Sequence, residues 1–335
     1  MSDPKVLPQP HFSPLVGLLL CGLLSLATPG FAQQGTWTQK ADMPTPRWGL
    51  STSAVDGRIY AMGGLGREYV LVRTVEAYDP RTDTWTEKAD MPTPRFLPAT
   101  SVVDGKIYVI GGGNLAVRSQ LGLPTVEEYD PATDTWTRKA DMPTPRHGLS
   151  TSVLNGRIYA ISGFDGTNMA TVEEYDPASD TWTKKADLPT LRSHVATQVV
   201  DGKIYAIGGW DRRGSIDTVF SSVAVYDPVA DTWTKKADMP TARWSAASVV
   251  VNGKIFVMGG TVAPGGEGRQ NLKTVEVYDP ETDTWAQEVD MPTARGWLSA
   301  SLIDGKLYAV GGRMSSASDS FGVLPTVEEF VYFGN

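Results

Sequence analysis

The sequence predicts an all-β fold: a six-bladed β-propeller, four antiparallel strands per blade, with the last blade closed by the N-terminal strand. Two observations carry this. One phrase, Asp-Thr-Trp-Thr-x-Lys-Ala-Asp-Met-Pro-Thr-Pro-Arg, recurs with small changes, its tryptophan falling at Trp37, Trp85, Trp136, Trp182, Trp233 and Trp285, 46 to 52 residues apart. Each repeat also holds four short strand patterns separated by turn residues, and a period near fifty with four strands per unit is a propeller blade.

The spacing inside the repeat is rigid. Ten residues after each tryptophan stands an arginine (Arg47, Arg95, Arg146, Arg192, Arg243, Arg295), and ten further a turn glycine (Gly57 through Gly305). Seven beyond that, a Gly-Gly pair ends at Gly64, Gly112, Gly209, Gly260 and Gly312, with Ser162-Gly163 in the third copy. The stretch after the arginine, such as Ser150 to Leu154, reads as the first strand. Asp-Gly or Asn-Gly follows it, the pair a type I′ hairpin demands. Lys203 to Gly209 exemplifies the second strand and Thr171 to Pro177 the third, which its Asp-Pro terminates because proline has no ladder donor. The fourth carries the tryptophan, seven residues after the strand-three tyrosine.

These features together resemble the kelch repeat: Gly-Gly, a variable stretch, tyrosine, seven residues to tryptophan, and arginine before the next inner strand. The resemblance runs from about Thr36 to Tyr332 and implies a kelch-type propeller. The chain opens on an orphan fourth strand (Thr36 to Ala41) and ends on an orphan third (Thr326 to Tyr332), so pairing the two completes blade six and closes the ring. Phe330 replaces the usual tyrosine there.

Before the repeats the sequence is of another kind. Lys5 precedes an apolar run from Leu15 to Ala27, followed by small residues at Gly30 and Ala32. That is the layout of a cleavable signal peptide over residues 1–32, too short an apolar run for a membrane span. The expectation is export, secreted or periplasmic, with a single propeller over 33–335 and no membrane span after cleavage. Lipidation at Cys21 would want a small residue before it, and Leu20 stands there. Cys21 is the only cysteine, so no disulfide staples the propeller.

The formal net charge is -8 and the pI near 5.0, which argues against a nucleic-acid partner. No cofactor is expected, and a monomer is. A metal is not expected either, since the propeller holds two histidines, His147 and His194, and no cysteine. The copper oxidases of the galactose-oxidase type have a kelch-like propeller but need a cysteine crosslinked to tyrosine. Motifs for a serine nucleophile, a P-loop or a zinc protease are absent.

Length varies in one place. From the Gly-Gly end to the strand-three aromatic the chain runs 12 residues in blade three (Gly163 to Tyr175) and 18 in blades five and six. These connections share one face with the arginine-bearing segments, and a face that varies on a fixed scaffold is where loops carry function. The six arginines admit two readings: a cationic ring at the funnel mouth that holds a carboxylate, or pins for the blade-to-blade segments, pairing with Glu76, Glu127, Glu173, Glu276 and Glu328. The residues after them, Trp48, Phe96, His147, Ser193-His194, Trp244 and Gly296-Trp297, either rim the depression for stacking on sugars or peptides or plug it. Trp210, Asp211, Arg212, Arg213 and the neighbourhoods of Arg269 and Arg313 are the loop residues best suited to binding, or they are solvated tips. Gly- and Ser-rich runs, Ala263 to Gly268 and Ser315 to Ser320, read as flexible.

Two functions follow as expectations, beside a third, a structural spacer with no small ligand. One is a binding or interaction module for a protein or carbohydrate partner on the variable face. The alternative is an enzyme similar to the kelch-type sialic-acid mutarotases, which would need a carboxylate-holding arginine and a general acid or base, with arginine or glutamate on the rim as candidates and His147 or His194 as proton shuttles. No catalytic residue is assigned.

Overall fold

A computed structural model describes residues 35–114, 122–213, 216–263, 268–315 and 322–334. Residues 1–32, with the expected signal peptide and Cys21, lie outside them, as do most of the two Gly- and Ser-rich runs. No helix among the described residues is long and apolar enough to cross a membrane.

Six four-stranded antiparallel sheets form. Blade one pairs Ser51–Val55, Arg58–Met62, Val75–Asp79 and Thr84–Lys88 in chain order. Blades two to five repeat this, ending at Lys139, Lys185, Lys236 and Glu288. The hairpin between the first two strands is tight because Asp56 (φ 48°) and Gly57 (φ 71°) both adopt left-handed backbone, as a type I′ turn requires. Two short accessory hairpins extend the variable face: Trp210–Arg213 with Ile216–Val219, and Thr261–Val262 with Gln270–Asn271.

The sixth blade comprises Ser299–Ile303, Lys306–Val310, Val327–Tyr332 and the N-terminal Gly35–Gln39. Gly35 pairs with Tyr332, Trp37 with Phe330 and Gln39 with Glu328, as the orphan strands require. Elsewhere a strand-three tyrosine hydroxyl bonds an aspartate two residues before the tryptophan, as Tyr78 does Asp83 at 2.6 Å. In blade six both partners are gone together. Phe330 lacks the hydroxyl, and Gly35 takes the aspartate's place because a Cβ there would lie 2.0 Å from the Phe330 ring.

Strand-two residues Ile59, Tyr60, Ala61 and Met62 are all buried, since both faces of each sheet are covered by the neighbouring blades. The core therefore lies between blades: Val55, Tyr60, Met62 and Val75 of blade one pack on Ile107, Val109 and Tyr129 of blade two. Polar clamps reinforce each seam. The Trp85 indole donates to the Ala41 carbonyl (3.0 Å), and Asp83 accepts from the Ala41 amide (2.9 Å). The same two bonds recur at Trp136 and Asp134 on Ala89, and at Trp285 and Asp283 on Ala237. Where the chain ends meet, Trp37 keeps its bond, to the Val289 carbonyl, while Glu288 of the same blade takes the Val289 amide. That seam lacks one cross-blade clamp.

Candidate functional site

The arginines resolve first. All six are buried, at 0–1% exposure, and the pinning reading is the one their contacts describe. Arg47, Arg95, Arg146, Arg243 and Arg295 form ion pairs with Glu76, Glu127, Glu173, Glu276 and Glu328, at 2.7 Å for Arg146, 2.8 Å for Arg243 and 3.0 Å for Arg295. Arg95 also donates to the carbonyls of Gly111 and Thr125, tying its segment to both middle strands. The glutamates accept a further bond from a threonine two residues before the arginine, as Glu127 does from Thr93 at 2.6 Å. The expectation of a cationic ring at the mouth is corrected: these guanidinium groups point between strands. A planar fork of donors that reaches a carboxylate and backbone carbonyls at once suits arginine as a strut. Arg192 lacks a glutamate partner, because Ala224 stands at that position; its Nη1 donates to Gly208, Ser222 and the Ser222 hydroxyl instead.

The mouth itself is built by the second residue after each arginine. Gly49, Leu97, Gly148, His194, Ser245 and Trp297 form a closed hydrogen-bonded ring, each backbone N–H donating to the carbonyl of the preceding blade at 2.7–3.3 Å. All six adopt left-handed φ of 49–61°, which costs the four non-glycine residues on the order of 1 kcal/mol each and persists because the ring over-determines it. Small and large side chains alternate round it. Leu97 leans over Gly49, where a Cβ would approach it to 3.0 Å, and His194 leans over Gly148, where a Cβ would come within 2.8 Å of the imidazole. Below the ring, the inner strands enclose about 240 Å³ lined by hydroxyls including Thr52, Thr100, Thr151, Thr197 and Ser248.

Outside the ring runs an arc of aromatic side chains touching every blade. Ring centroids step from Tyr69 to Trp48 (6.3 Å), Trp297 (5.7 Å), Trp244 (4.9 Å), Trp210 (5.2 Å, stacked), Phe164 (6.4 Å), His147 (5.4 Å) and Phe96 (5.1 Å). Phe96, His147, Trp210 and Trp244 are 4–8% exposed and serve as packing. Trp48 and Trp297 are half-buried and Tyr69 is 47% exposed. Two cations lie over the arc: Arg313 over Trp48 and Trp297 (5.1 and 5.7 Å), and Arg269 over Trp244 and Trp210 (5.0 and 5.7 Å). Arg269 also pairs with Asp217 at 3.3 Å.

Comparison with known proteins bears on what this architecture is. The family model described as the KLHDC2/KLHL20/DRC7 Kelch-repeats domain matches residues 23–163 and 139–312. The chain belongs to the kelch-repeat family. Kelch-like protein 25 of Xenopus tropicalis is 30% identical over 259 residues, 76% of this chain and 42% of that protein, and the human Kelch-like protein 25 is 31% identical over 251 residues. The chain thus spans about two fifths of the length of these relatives. The solved structure of YjhT superposes with a TM-score of 0.73 at 17% identity, covering 88% of this chain and 97% of that one, a likeness of fold.

Within this kelch propeller the sequence-derived candidates divide. Trp48 and Trp297 meet at the partly open sector of the mouth. His194 belongs to the ring, its imidazole edge-on to Trp244 at 5.3 Å. Trp210 and Asp211 sit at the base of the accessory hairpin, where Asp211 accepts from Asn168 of blade three at 2.9 Å. Arg212 belongs to the strand Trp210–Arg213, its side chain outside those described. No grouping of three metal-ligating side chains occurs among the described residues. Sequence reasoning missed Leu97, Tyr69 and Phe164. The small-large alternation two residues after each arginine was a usable signal for the first, and Phe164, which ends the strand Arg157–Phe164, follows Gly163 as Trp210 follows Gly209. Tyr69 closes a short helical turn, Arg67–Tyr69, in the variable stretch, where no register carries over.

Burial pushes the His147 imidazole down to about 4, against the pull of Asp165. It pushes His194 down to about 3, with His147 and Arg269 adding repulsion. Both are neutral near pH 7. A histidine lowered on folding binds its proton more readily unfolded, so stability is full above the ordinary value near 6.5 and declines as pH falls toward 4. Thermal melts from pH 7.5 to 4.5 should show this decline, and His147→Phe with His194→Phe should flatten it. An identical slope in the double variant would remove the histidines as its cause.

Proposed function

We propose that the chain is an exported binding module that grips a protein or carbohydrate partner on the variable-loop face. Kelch-repeat propellers generally serve protein interaction, which supports the class. The observation that carries the choice of surface is the half-buried Trp48–Trp297–Tyr69 sector with Arg313 over it. Aromatic faces beside a cation stack on sugar rings or on peptide side chains, and a part-exposed indole already held by its neighbours loses little entropy on binding. The blade arginines are buried between strands, leaving the rim as the contact surface. Arg269 and the loop around Trp210 extend it toward blade four.

The test is a glycan array together with crosslinked capture from the exported fraction, using the chain without residues 1–32. Trp48→Ala and Trp297→Ala should each weaken the retained partner at least about tenfold, the scale of an interface hot spot. Their melting temperatures should move little. A partner held equally well by both variants would place binding elsewhere.

A further inference from the structure

Blade four breaks the pattern of buried ion pairs, and the break leaves a cation without its anion. Strand three of blade four pairs Ala224 with Ala206 in the register that places Glu76 opposite Ala61 and Glu173 opposite Ala160. The arginine has not changed with it: Arg192 is 1% exposed. Among the described residues it makes no ion pair. Nη1 is held by the Gly208 carbonyl (2.9 Å), the Ser222 carbonyl (3.1 Å) and the Ser222 hydroxyl (2.7 Å). Nε has no hydrogen-bond partner. Arg146 and Arg295 have an orphaned Nε too, but their glutamates neutralise them.

Two polar side chains lie near Arg192, one retained from the repeat and one substituted. Thr190 corresponds to the threonines whose hydroxyls donate to the glutamate at 2.6–2.7 Å in the other five blades, and Ala224 offers it no acceptor. Ser162 replaces the first glycine of the Gly-Gly pair, whose counterparts approach the next blade's arginine carbonyl, as Gly63 does that of Arg95. Its side chain is fully buried with Oγ unpartnered. Phe220 lies over the guanidinium at 5.6 Å, which shields one face of the cation and leaves its charge. A desolvated, unpaired charge is among the costlier features a core can hold.

We propose that Arg192, with Thr190, forms a socket for a small monovalent anion, chloride or a formate-sized carboxylate, seated where a glutamate carboxylate sits in the other five blades. Its size limit is the volume between an alanine and a glutamate side chain. A charge-assisted bond from Nη2, the nitrogen that meets the glutamate in blades one, two, five and six, would restore neutrality to blade four.

The test is the melting temperature of the protein as chloride or formate replaces gluconate, an anion too large for the socket, at constant ionic strength. A saturable rise on the order of 2 °C or more is expected, from one anion or both according to the size the socket accepts. In Ala224→Glu the rise should vanish, because the side chain supplies the carboxylate. Independently of whether that variant folds, excess ³⁵Cl line broadening by the wild-type protein, removed by formate, should report the site. No anion-dependent rise and no excess broadening, or the same rise in Ala224→Glu, would overturn the proposal.

Discussion

Deleting Thr36–Asp42 is expected to abolish the single cooperative melt of the propeller. Those residues supply the fourth strand of blade six, paired along its length to Val327–Tyr332, and Trp37 packs at 4.9 Å on Phe330. They also supply the Ala41 amide and carbonyl that Asp83 and Trp85 grip. The deletion therefore opens the seams on both sides of blade six, exposes the apolar cluster around Phe256, Leu307 and Phe330, and leaves a long unpaired sheet edge. Each cross-seam bond is worth about 1 kcal/mol. With the exposed apolar surface added, the loss reaches the roughly 5–15 kcal/mol that is the whole stability of a typical protein. A peptide spanning residues 33–45, added in trans, should restore part of the transition. An unchanged melting temperature in the deletion would disprove closure by this strand.

The second large effect separates two arginines that look alike in sequence. Arg95→Met removes a guanidinium and leaves Glu127, 3% exposed, without its cation. Removing one partner of a buried pair typically costs about 3–5 kcal/mol. Arg192→Met leaves behind two carbonyls and a hydroxyl but no charge, at a cost nearer the 1–3 kcal/mol of unsatisfied polar groups. Melting temperatures should accordingly fall further for Arg95→Met. Equal losses would mean that the carboxylates contribute nothing particular to the seams.

The contrast between these residues shows where sequence reading reached its limit. The repeat placed the strands, the type I′ turns and the closing pair, because fixed spacing transfers one blade's geometry to the next. It also pointed to the arginine–glutamate pairs, since five glutamates matched six arginines in register. It left open which way the guanidinium groups turn, because a rim and a seam are adjacent and four rotatable bonds decide between them. The aromatic arc was partly visible, as Trp48, Phe96, His147 and Trp244 share one repeat position. Its exposure was not. Burial of Trp244 against Trp297, and the half-open state of Trp48, depend on loops whose lengths follow no repeat. The backbone ring at the mouth was hidden for another reason: its bonds use no side chain, and only the alternation of Gly49, Leu97, Gly148, His194, Ser245 and Trp297 hints at it.

The division between strut and rim can be read directly by arginine modification with phenylglyoxal, mapped by mass spectrometry on the folded protein. Arg81 and Arg73, with side chains 71% and 56% exposed, set the rate for open guanidinium groups, and Arg269 at 44% should follow them. Arg47, Arg95, Arg146, Arg192, Arg243 and Arg295 should stay unmodified until the protein unfolds. Modification of these six at the rate of Arg81 would return them to the mouth of the funnel and contradict the account.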